Sequence, residues 1–206
     1  MKLKLVLYAL VIGLCVVPVA GAQQTGALTP AQLVAMLQKG GLILYVRHAA
    51  TDHSQSDKDL SDFSNCRLQR NLSDQGKREI AEMRDAIRAL GIPIGSVYTS
   101  PYCRCVDTAK IGFGEYQILD EMRATFYTDK TDTAALSAFL KKQLSSKPRP
   151  GTNTVLVGHT ANLRDVTSVW PKPEGVTHVF EPLGSNGYRH LGRIPPVEWK
   201  NIMDSK

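Results

Sequence analysis

The stretch "LILYVRHAAT", residues 42–51, indicates the fold class more directly than any other part of the chain. Its first five residues form a continuous apolar run, which is typical of a strand that is covered on both faces. The run ends in Arg47 and His48, a cation and an imidazole side by side. We therefore expect a buried strand that brings two polar side chains to one edge of a sheet.

Two further strands are predicted to end in polar residues of the same kinds. "TVLVG" (154–158) is a second apolar run and is followed by His159, and "SVYTS" (96–100) is followed by Arg104 in "SPYCR". Open α/β sheets bind ligands beyond the carboxyl ends of their strands. We expect these side chains to share one rim, although they are remote along the chain.

Helical and extended patterns alternate along the rest of the chain. The predicted helices open at Thr29-Pro30, at Ser73, at Pro101, at Thr131 or Asp132, and after His159. The other predicted strands are "YQIL" (116–119) and an antiparallel pair, "THVFEP" and "GYRHLGRI", around "LGSNG". Strands that alternate with helices predict an α/β fold, a three-layer α/β/α sandwich with a mainly parallel central sheet.

Residues 1–22 have the pattern of a signal peptide. Lys2 and Lys4 precede an apolar run from Leu5 to Ala20, and Ala20-Gly21-Ala22 is a small-residue cleavage site. The alternative is an uncleaved membrane anchor, but the run is short for a spanning helix, which needs roughly 20 apolar residues. We expect export to the periplasm or the medium, no stable membrane insertion after cleavage, and one domain over residues 23–206.

The charge balance argues against a nucleic-acid-binding protein. The chain has 25 Lys and Arg and 19 Asp and Glu, and two of the basic residues lie in the first 22. The remaining 184 residues therefore carry 23 basic and 19 acidic side chains, a formal net charge of +4. The basic residues are scattered, whereas nucleic-acid binding needs a clustered patch. A weakly basic domain could still favour a small anionic substrate.

Three cysteines follow the predicted signal peptide: Cys66, Cys103 and Cys105. In an oxidising compartment the simplest arrangement is one disulfide and one free thiol. We favour Cys66–Cys103, but the sequence does not separate it from Cys66–Cys105, and Cys103–Cys105 would strain a very short loop. No histidine or fourth cysteine stands at metal-ligand spacing, so we expect no metal and no cofactor.

The polar residues at the strand ends suit chemistry on a phosphate group. Arginine binds a tetrahedral oxyanion through paired, charge-assisted hydrogen bonds. A neutral imidazole is a competent nucleophile near neutral pH. One histidine could attack phosphorus while the other stabilises the charge that develops on the oxygens.

Several segments resemble the motifs of the histidine phosphatase superfamily, which includes phosphoglycerate mutases and acid phosphatases. They are "VRHAAT", "LSDQGKREI", "YTSPYCRCVDTA" and "VLVGHTANL", in the family's order from about Leu42 to Leu163. The resemblance implies a phosphoglycerate mutase-like fold. It also implies the role of each matching residue: His48 as the nucleophile, Arg47, Arg104 and His159 as phosphate-binding residues, and Thr51 and Ser100 as supporting residues.

The chain departs from the family's pattern in two places. Ala49 replaces the usual glycine, which would be strained if that position had positive φ. Thr160 replaces the aspartate that one branch of the family uses as proton donor. We therefore predict the donor among other carboxylates: Glu174 first, then Glu121 or Asp120, with Asp52 and Asp57 of the polar loop 49–70 as further alternatives.

The predicted function is an exported, bacterial-type phosphomonoesterase that works through a phosphohistidine at His48. The alternatives are a weakly catalytic phosphate- or phosphosugar-binding envelope protein and a phosphomutase. The substrate would be a small-molecule or glycan phosphate ester, and its specificity would lie in residues 49–70 and 120–132. We expect His53, His178 and His190 to be structural or surface residues, and Trp170 and Trp199 to be packing residues.

Overall fold

The structure is a computed structural model that describes residues 28–205. The predicted signal peptide lies outside the described residues. Within 28–205, no helix has both the length and the apolar character needed to cross a bilayer.

A six-stranded sheet forms the centre of the molecule. Its strands are β1 (Ile43–Arg47), β2 (Ile94–Thr99), β3 (Gln117–Ile118), β4 (Asn153–Gly158), β5 (Thr177–Pro182) and β6 (Tyr188–Ile194). The strand order is β3-β2-β4-β1-β5-β6. The first four strands in this order are parallel to one another, whereas β5 runs antiparallel to β1 and β6 antiparallel to β5. The predicted mainly parallel sheet is confirmed, and so is the hairpin of its last two strands.

Six helices cover the two faces of the sheet. They are α1 (Pro30–Leu37), α2 (Asp74–Ala89), α3 (Cys103–Phe113), α4 (Lys130–Ser145), α5 (Thr160–Thr167) and α6 (Pro196–Asp204). The first three and α6 share one apolar core, and α4 and α5 share the other. These two cores, one on each face, make the predicted three-layer sandwich.

Strand β1 contributes to both cores because its side chains alternate between the faces of the sheet. Leu44 and Val46 lie in the core with α1, α2, α3 and α6, whereas Ile43 and Tyr45 lie in the core with α4 and α5. All four side chains are buried. This double burial explains why the run is apolar without alternation.

Two helix starts differ from the sequence prediction. The cap of α4 is Asp129 rather than Thr131 or Asp132, because the Asp129 carboxylate accepts a hydrogen bond from the backbone N–H of Asp132. Helix α6 was not predicted. It is short and begins within a Pro-Pro pair, but it packs the fully buried Trp199 against α2.

Candidate active site

The register of the two central strands brings His48 and His159 together. β1 and β4 are parallel neighbours, and Arg47 pairs with Gly158 in the ladder. The next residue of each strand is therefore a histidine at the same edge. The His48 backbone N–H donates to the Gly158 carbonyl, and the two imidazole centroids are 5.6 Å apart.

His48 is held in a defined tautomer. Its Nδ1 is 3.1 Å from the Ala49 carbonyl oxygen, which can only accept a hydrogen bond, so Nδ1 carries the proton. The lone pair of a neutral ring is then on Nε2. Burial, followed by the charge of Arg104, lowers the pKa of His48 well below its ordinary value. His48 is therefore neutral, which is the nucleophilic form of an imidazole.

The loop after His48 is fixed by the start of α2. The Ala50 carbonyl accepts hydrogen bonds from the backbone N–H of Ser73 at 2.9 Å and from its hydroxyl at 3.1 Å. A Cβ atom on Gly76 would lie 2.0 Å from the same oxygen, so only glycine allows this approach. Ala49 has no positive φ, so it is not strained, and its N–H donates to Thr108.

His159 is oriented by three neighbours. The Ser100 hydroxyl lies 2.7 Å from its Nε2, the Tyr45 hydroxyl donates to its backbone carbonyl at 2.7 Å, and Tyr102 packs edge-on against its ring. Burial, together with the charge of Arg104, lowers the pKa of His159 well below its ordinary value. Both histidines of the pair are therefore uncharged.

A pocket of about 290 Å³ opens beside the two histidines. We call it the cationic pocket. The residues that line it are Arg47, His48, Gln55, Ser56, Asp57, Arg70, Arg104, Phe126, Tyr127, His159 and Thr160. The Nε–H groups of Arg47, Arg70 and Arg104 are buried and have no hydrogen-bond partner within residues 28–205. Because buried N–H donors are nearly always paired in native proteins, three orphaned guanidinium donors around one pocket indicate an anion site.

Two carboxylates hold two of these arginines in place. Arg104 Nη1 lies 3.0 Å from Asp57, and both side chains are almost fully buried. Arg47 donates to Glu174 at 2.9 Å and to the Pro171 carbonyl at 3.1 Å. Each arginine therefore has one carboxylate partner and keeps its Nε–H unpaired.

The predicted proton donors occupy different environments. Glu174 accepts hydrogen bonds from Arg47 and from both the N–H and the hydroxyl of Thr51, and it does not line the cationic pocket. Glu121 is exposed on the short turn Asp120–Met122, away from this pocket. Of the carboxylates within residues 28–205, Asp57 is the one that lines the cationic pocket.

Sequence reasoning missed Arg70 and gave little weight to Asp57. Arg70 stands just before the motif "LSDQGKREI", and its Nη2 lies 4.0 Å from Glu174. A single arginine in a polar loop has no period that would distinguish it from a surface charge. The available signal was its position, two residues before the motif that begins at Leu72.

Cys66 and Cys103 form a disulfide, and Cys105 is a buried free thiol. The disulfide joins the loop that carries Asp57 and Arg70 to the first turn of α3, next to Arg104. Burial raises the pKa of Cys105 to about 12, so its thiol is neutral beside His159.

The remaining histidines lie apart from the cationic pocket. His53 is exposed, 3.8 Å from Glu174, and His178 pairs with His190 on β5 and β6 at 3.0 Å. Trp199 is buried as expected, whereas Trp170 is 55% exposed and is not a packing residue.

Comparisons with known proteins agree with this geometry. Residues 43–132 match the sequence profile of the "Histidine phosphatase superfamily (branch 1)". This segment contains His48, Arg70 and Arg104. No curated protein sequence matches the chain.

Solved structures of phosphatases share the fold. The structure titled as the protein histidine phosphatase SixA complexed with tungstate has a TM-score of 0.55 at 15% identity, over 76% of this chain and 97% of that chain. The phosphoserine phosphatase of Entamoeba histolytica, in complex with phosphoserine, has a TM-score of 0.53 at 13% identity, over 76% and 98%. The mycobacterial glucosyl-3-phosphoglycerate phosphatase has a TM-score of 0.51 at 12% identity, over 73% and 97%. Residues 43–132 are therefore similar to the histidine phosphatase superfamily, and the chain has the phosphoglycerate mutase-like fold of these phosphatases.

Proposed function

We propose that the protein is an exported phosphomonoesterase that transfers the phosphoryl group of its substrate to His48 and then to water. The observation that carries this proposal is the cationic pocket itself. Three arginines with unpaired, buried Nε–H groups and two neutral histidines surround a space of about 290 Å³. A phosphate dianion would receive charge-assisted hydrogen bonds there with little competition from water.

The reaction would proceed in two displacements at phosphorus. The Nε2 lone pair of His48 attacks, a P–N bond forms, and the ester P–O bond breaks as the leaving oxygen takes a proton. Water then attacks phosphorus and breaks the P–N bond, so that inorganic phosphate and neutral His48 are released. When the Ser100 hydroxyl donates to Nε2 of His159, the proton of that ring is on Nδ1, where it can donate to a phosphoryl oxygen.

We assign the proton donor of the first step to Asp57. Its support is that Asp57 lines the cationic pocket and is paired with Arg104, which a bound phosphate group would also engage. Glu174 does not line the cationic pocket, and its hydrogen bonds to Arg47 and Thr51 would position the first arginine.

Export is the remaining part of the proposal. It is supported by the signal-peptide pattern of residues 1–22 and by the disulfide Cys66–Cys103, since disulfides persist in oxidising compartments. The names of the structural neighbours include phosphoserine and glucosyl-3-phosphoglycerate phosphatases, so the shared fold does not select one leaving group.

The function is tested by assaying the purified protein against a panel of phosphate monoesters, with His48→Ala as the blank. We expect phosphate release by the wild-type protein and a loss of at least about 10³-fold in His48→Ala, because the nucleophile is removed. Hydrolysis by His48→Ala at the wild-type rate would contradict the proposal.

The proton donor is tested with paired leaving groups. Asp57→Asn should slow the hydrolysis of alkyl phosphates by about 10²-fold or more, yet affect p-nitrophenyl phosphate much less, because nitrophenolate leaves without a proton. Glu174→Gln is the matched control and should affect both substrates alike. Equal losses on both substrates in Asp57→Asn would refute the assignment, and selective loss in Glu174→Gln would transfer the role to Glu174.

A further inference from the structure

Three aromatic side chains stand exposed around the mouth of the cationic pocket. Phe126 and Tyr127 belong to its wall and are 60% and 65% exposed, and Trp170 is 55% exposed. No other Phe, Tyr or Trp side chain within residues 28–205 is exposed to this extent. Large exposed aromatic groups that cluster beside a pocket indicate a binding surface, whereas single scattered ones need no explanation.

Arg164 joins these aromatic side chains into one surface. Its guanidinium carbon lies 5.7 Å from the Phe126 ring centroid and 5.3 Å from that of Trp170. Asp165 accepts a hydrogen bond from Arg164 Nε and another from the Thr125 hydroxyl, both at 2.8 Å. The hydrogen bond from Thr125 therefore holds the 125–127 segment against α5. The Arg164 guanidinium lies between the rings of Phe126 and Trp170.

The surface is continuous with the cationic pocket on two sides. Thr160 lies in the pocket wall one helical turn before Arg164, so both side chains are on the same face of α5. Trp170 precedes Pro171, whose carbonyl accepts a hydrogen bond from Arg47. Lys172 adds a second cation, 5.9 Å from the Trp170 ring centroid.

We propose that Phe126, Tyr127, Trp170 and Arg164 form the leaving-group subsite, and that it selects phosphate esters whose alcohol carries a ring with a flat face and a second anionic group. This inference rests on the proposed function, because it treats the cationic pocket as the place of the phosphoryl group. The aromatic faces supply stacking area, and Arg164 with Lys172 supplies charge for the second anion. A sugar bisphosphate and a nucleoside bisphosphate share this chemistry.

The subsite is tested by the specificity constants of five substrates. Glycerol 3-phosphate has no ring, a hexose 6-phosphate and a nucleoside 5′-monophosphate have a ring, and a hexose bisphosphate and a nucleoside 3′,5′-bisphosphate have a ring and a second anion. We expect kcat/KM to be at least about tenfold higher for the ring-containing monophosphates than for glycerol 3-phosphate, because the ring stacks on the aromatic side chains. A further rise of at least about tenfold is expected for the bisphosphates, because the second anion pairs with the cations. The better of the two bisphosphates identifies the ring as saccharide or nucleoside.

Variants separate the contribution of the ring from that of the second anion. Trp170→Ala should remove the preference for a ring and leave glycerol 3-phosphate within about twofold, and Arg164→Gln should remove the preference for the second anion. Leu183→Ala and Arg149→Gln are matched controls, because both residues line a different cavity, remote from the catalytic histidines. A wild-type protein without either preference, or variants that lower all five constants equally, would overturn the subsite.

A binding measurement distinguishes failure of the subsite from failure of the proposed function. In His48→Ala, calorimetry should show the preferred bisphosphate binding at least about tenfold more tightly than inorganic phosphate, and Trp170→Ala should abolish that difference. If the protein hydrolyses nothing but retains this pattern, the subsite stands and the phosphatase proposal fails. If hydrolysis occurs and all esters bind with the same affinity as inorganic phosphate, the subsite is refuted and the phosphatase proposal stands.

Discussion

Ser100 is the residue on which the orientation of His159 depends most directly. Its hydroxyl is buried, 2.7 Å from Nε2, and it also lies 3.5 Å from the Tyr102 N–H. Without this hydroxyl the buried imidazole nitrogen has only the weak Cys105 thiol nearby. The serine thus fixes which ring nitrogen of His159 is available to a substrate.

Ser100→Ala should therefore lower kcat by about tenfold or more and leave the fold intact, since a positioned donor is worth about 1–3 kcal/mol in such sites. Steady-state kinetics and a denaturation curve measure the two effects. Ser96→Ala, within β2 and outside the site, is the control. An unchanged kcat in Ser100→Ala would show that His159 is oriented by other contacts.

The neutral state of His48 predicts an unusual titration. Burial and the nearby arginines lower its pKa, so the ring should remain unprotonated as pH falls through 6.5, where an unperturbed imidazole is half charged. The unfolded state then binds protons that the folded state does not, so the free energy of unfolding should decrease below pH 6.5, by up to about 1.4 kcal/mol per pH unit for each such histidine.

Histidine C–H resonances followed by NMR from pH 8 to 5 measure this directly. A His48 midpoint near 6.5 would contradict the neutral, nucleophilic state.

At the scale of elements, the start of α2 and the disulfide hold the two loops that complete the site. The contact of α2 with the Ala50 carbonyl fixes the loop after His48. The Cys66–Cys103 bond fixes the loop that carries Asp57 and Arg70.

Gly76→Ala should destabilise the protein by about 2 kcal/mol or more, because its Cβ would meet a backbone oxygen that cannot move without displacing the loop. Activity should fall as well, since that loop directly follows His48. Gly112→Ala is the matched control, because its Cβ would meet the side chains of Ile80, at 3.1 Å, and Met83, at 3.5 Å, rather than backbone atoms. Equal effects of the two substitutions on unfolding and activity would show that the close approach is not required.

Removal of the disulfide should loosen the site as well as the fold. The bond closes a loop with a sequence separation of 37 residues, which corresponds to about 4 kcal/mol from chain entropy. In Cys66→Ser/Cys103→Ser we expect a lower denaturant midpoint and a raised KM for phosphate esters, because Asp57 and Arg70 lose their anchor. Full activity and stability in the double variant would mean that packing alone holds the loop.

At the scale of the whole molecule, five remote segments converge on one pocket. They are the end of β1, the polar loop, the first turn of α3, residues 125–127, and the end of β4 with the start of α5. The sequence was sufficient to predict this convergence because apolar strands end directly in Arg47, His48 and His159, and the edge of a parallel sheet brings such ends together.

Other features depend on tertiary contacts that leave no periodic pattern in the sequence. Arg70 and Asp57 belong to an irregular loop whose path is set by the disulfide and by Asp57 itself, which accepts a hydrogen bond from the Arg70 N–H. The exposed position of Trp170 is another such feature. Its residue type favours burial, and its contact with Arg164 is visible only in the structure.

The central claim is that His48 forms a covalent bond to phosphorus in the cationic pocket. The most direct measurement mixes the protein briefly with a ³²P-labelled monoester, quenches it in alkaline detergent, in which phosphohistidine survives, and locates the label by peptide mass spectrometry. We predict label on His48 in the wild-type protein and none in His48→Ala. Turnover with label on another residue, or with no labelled protein at any mixing time, would contradict the account.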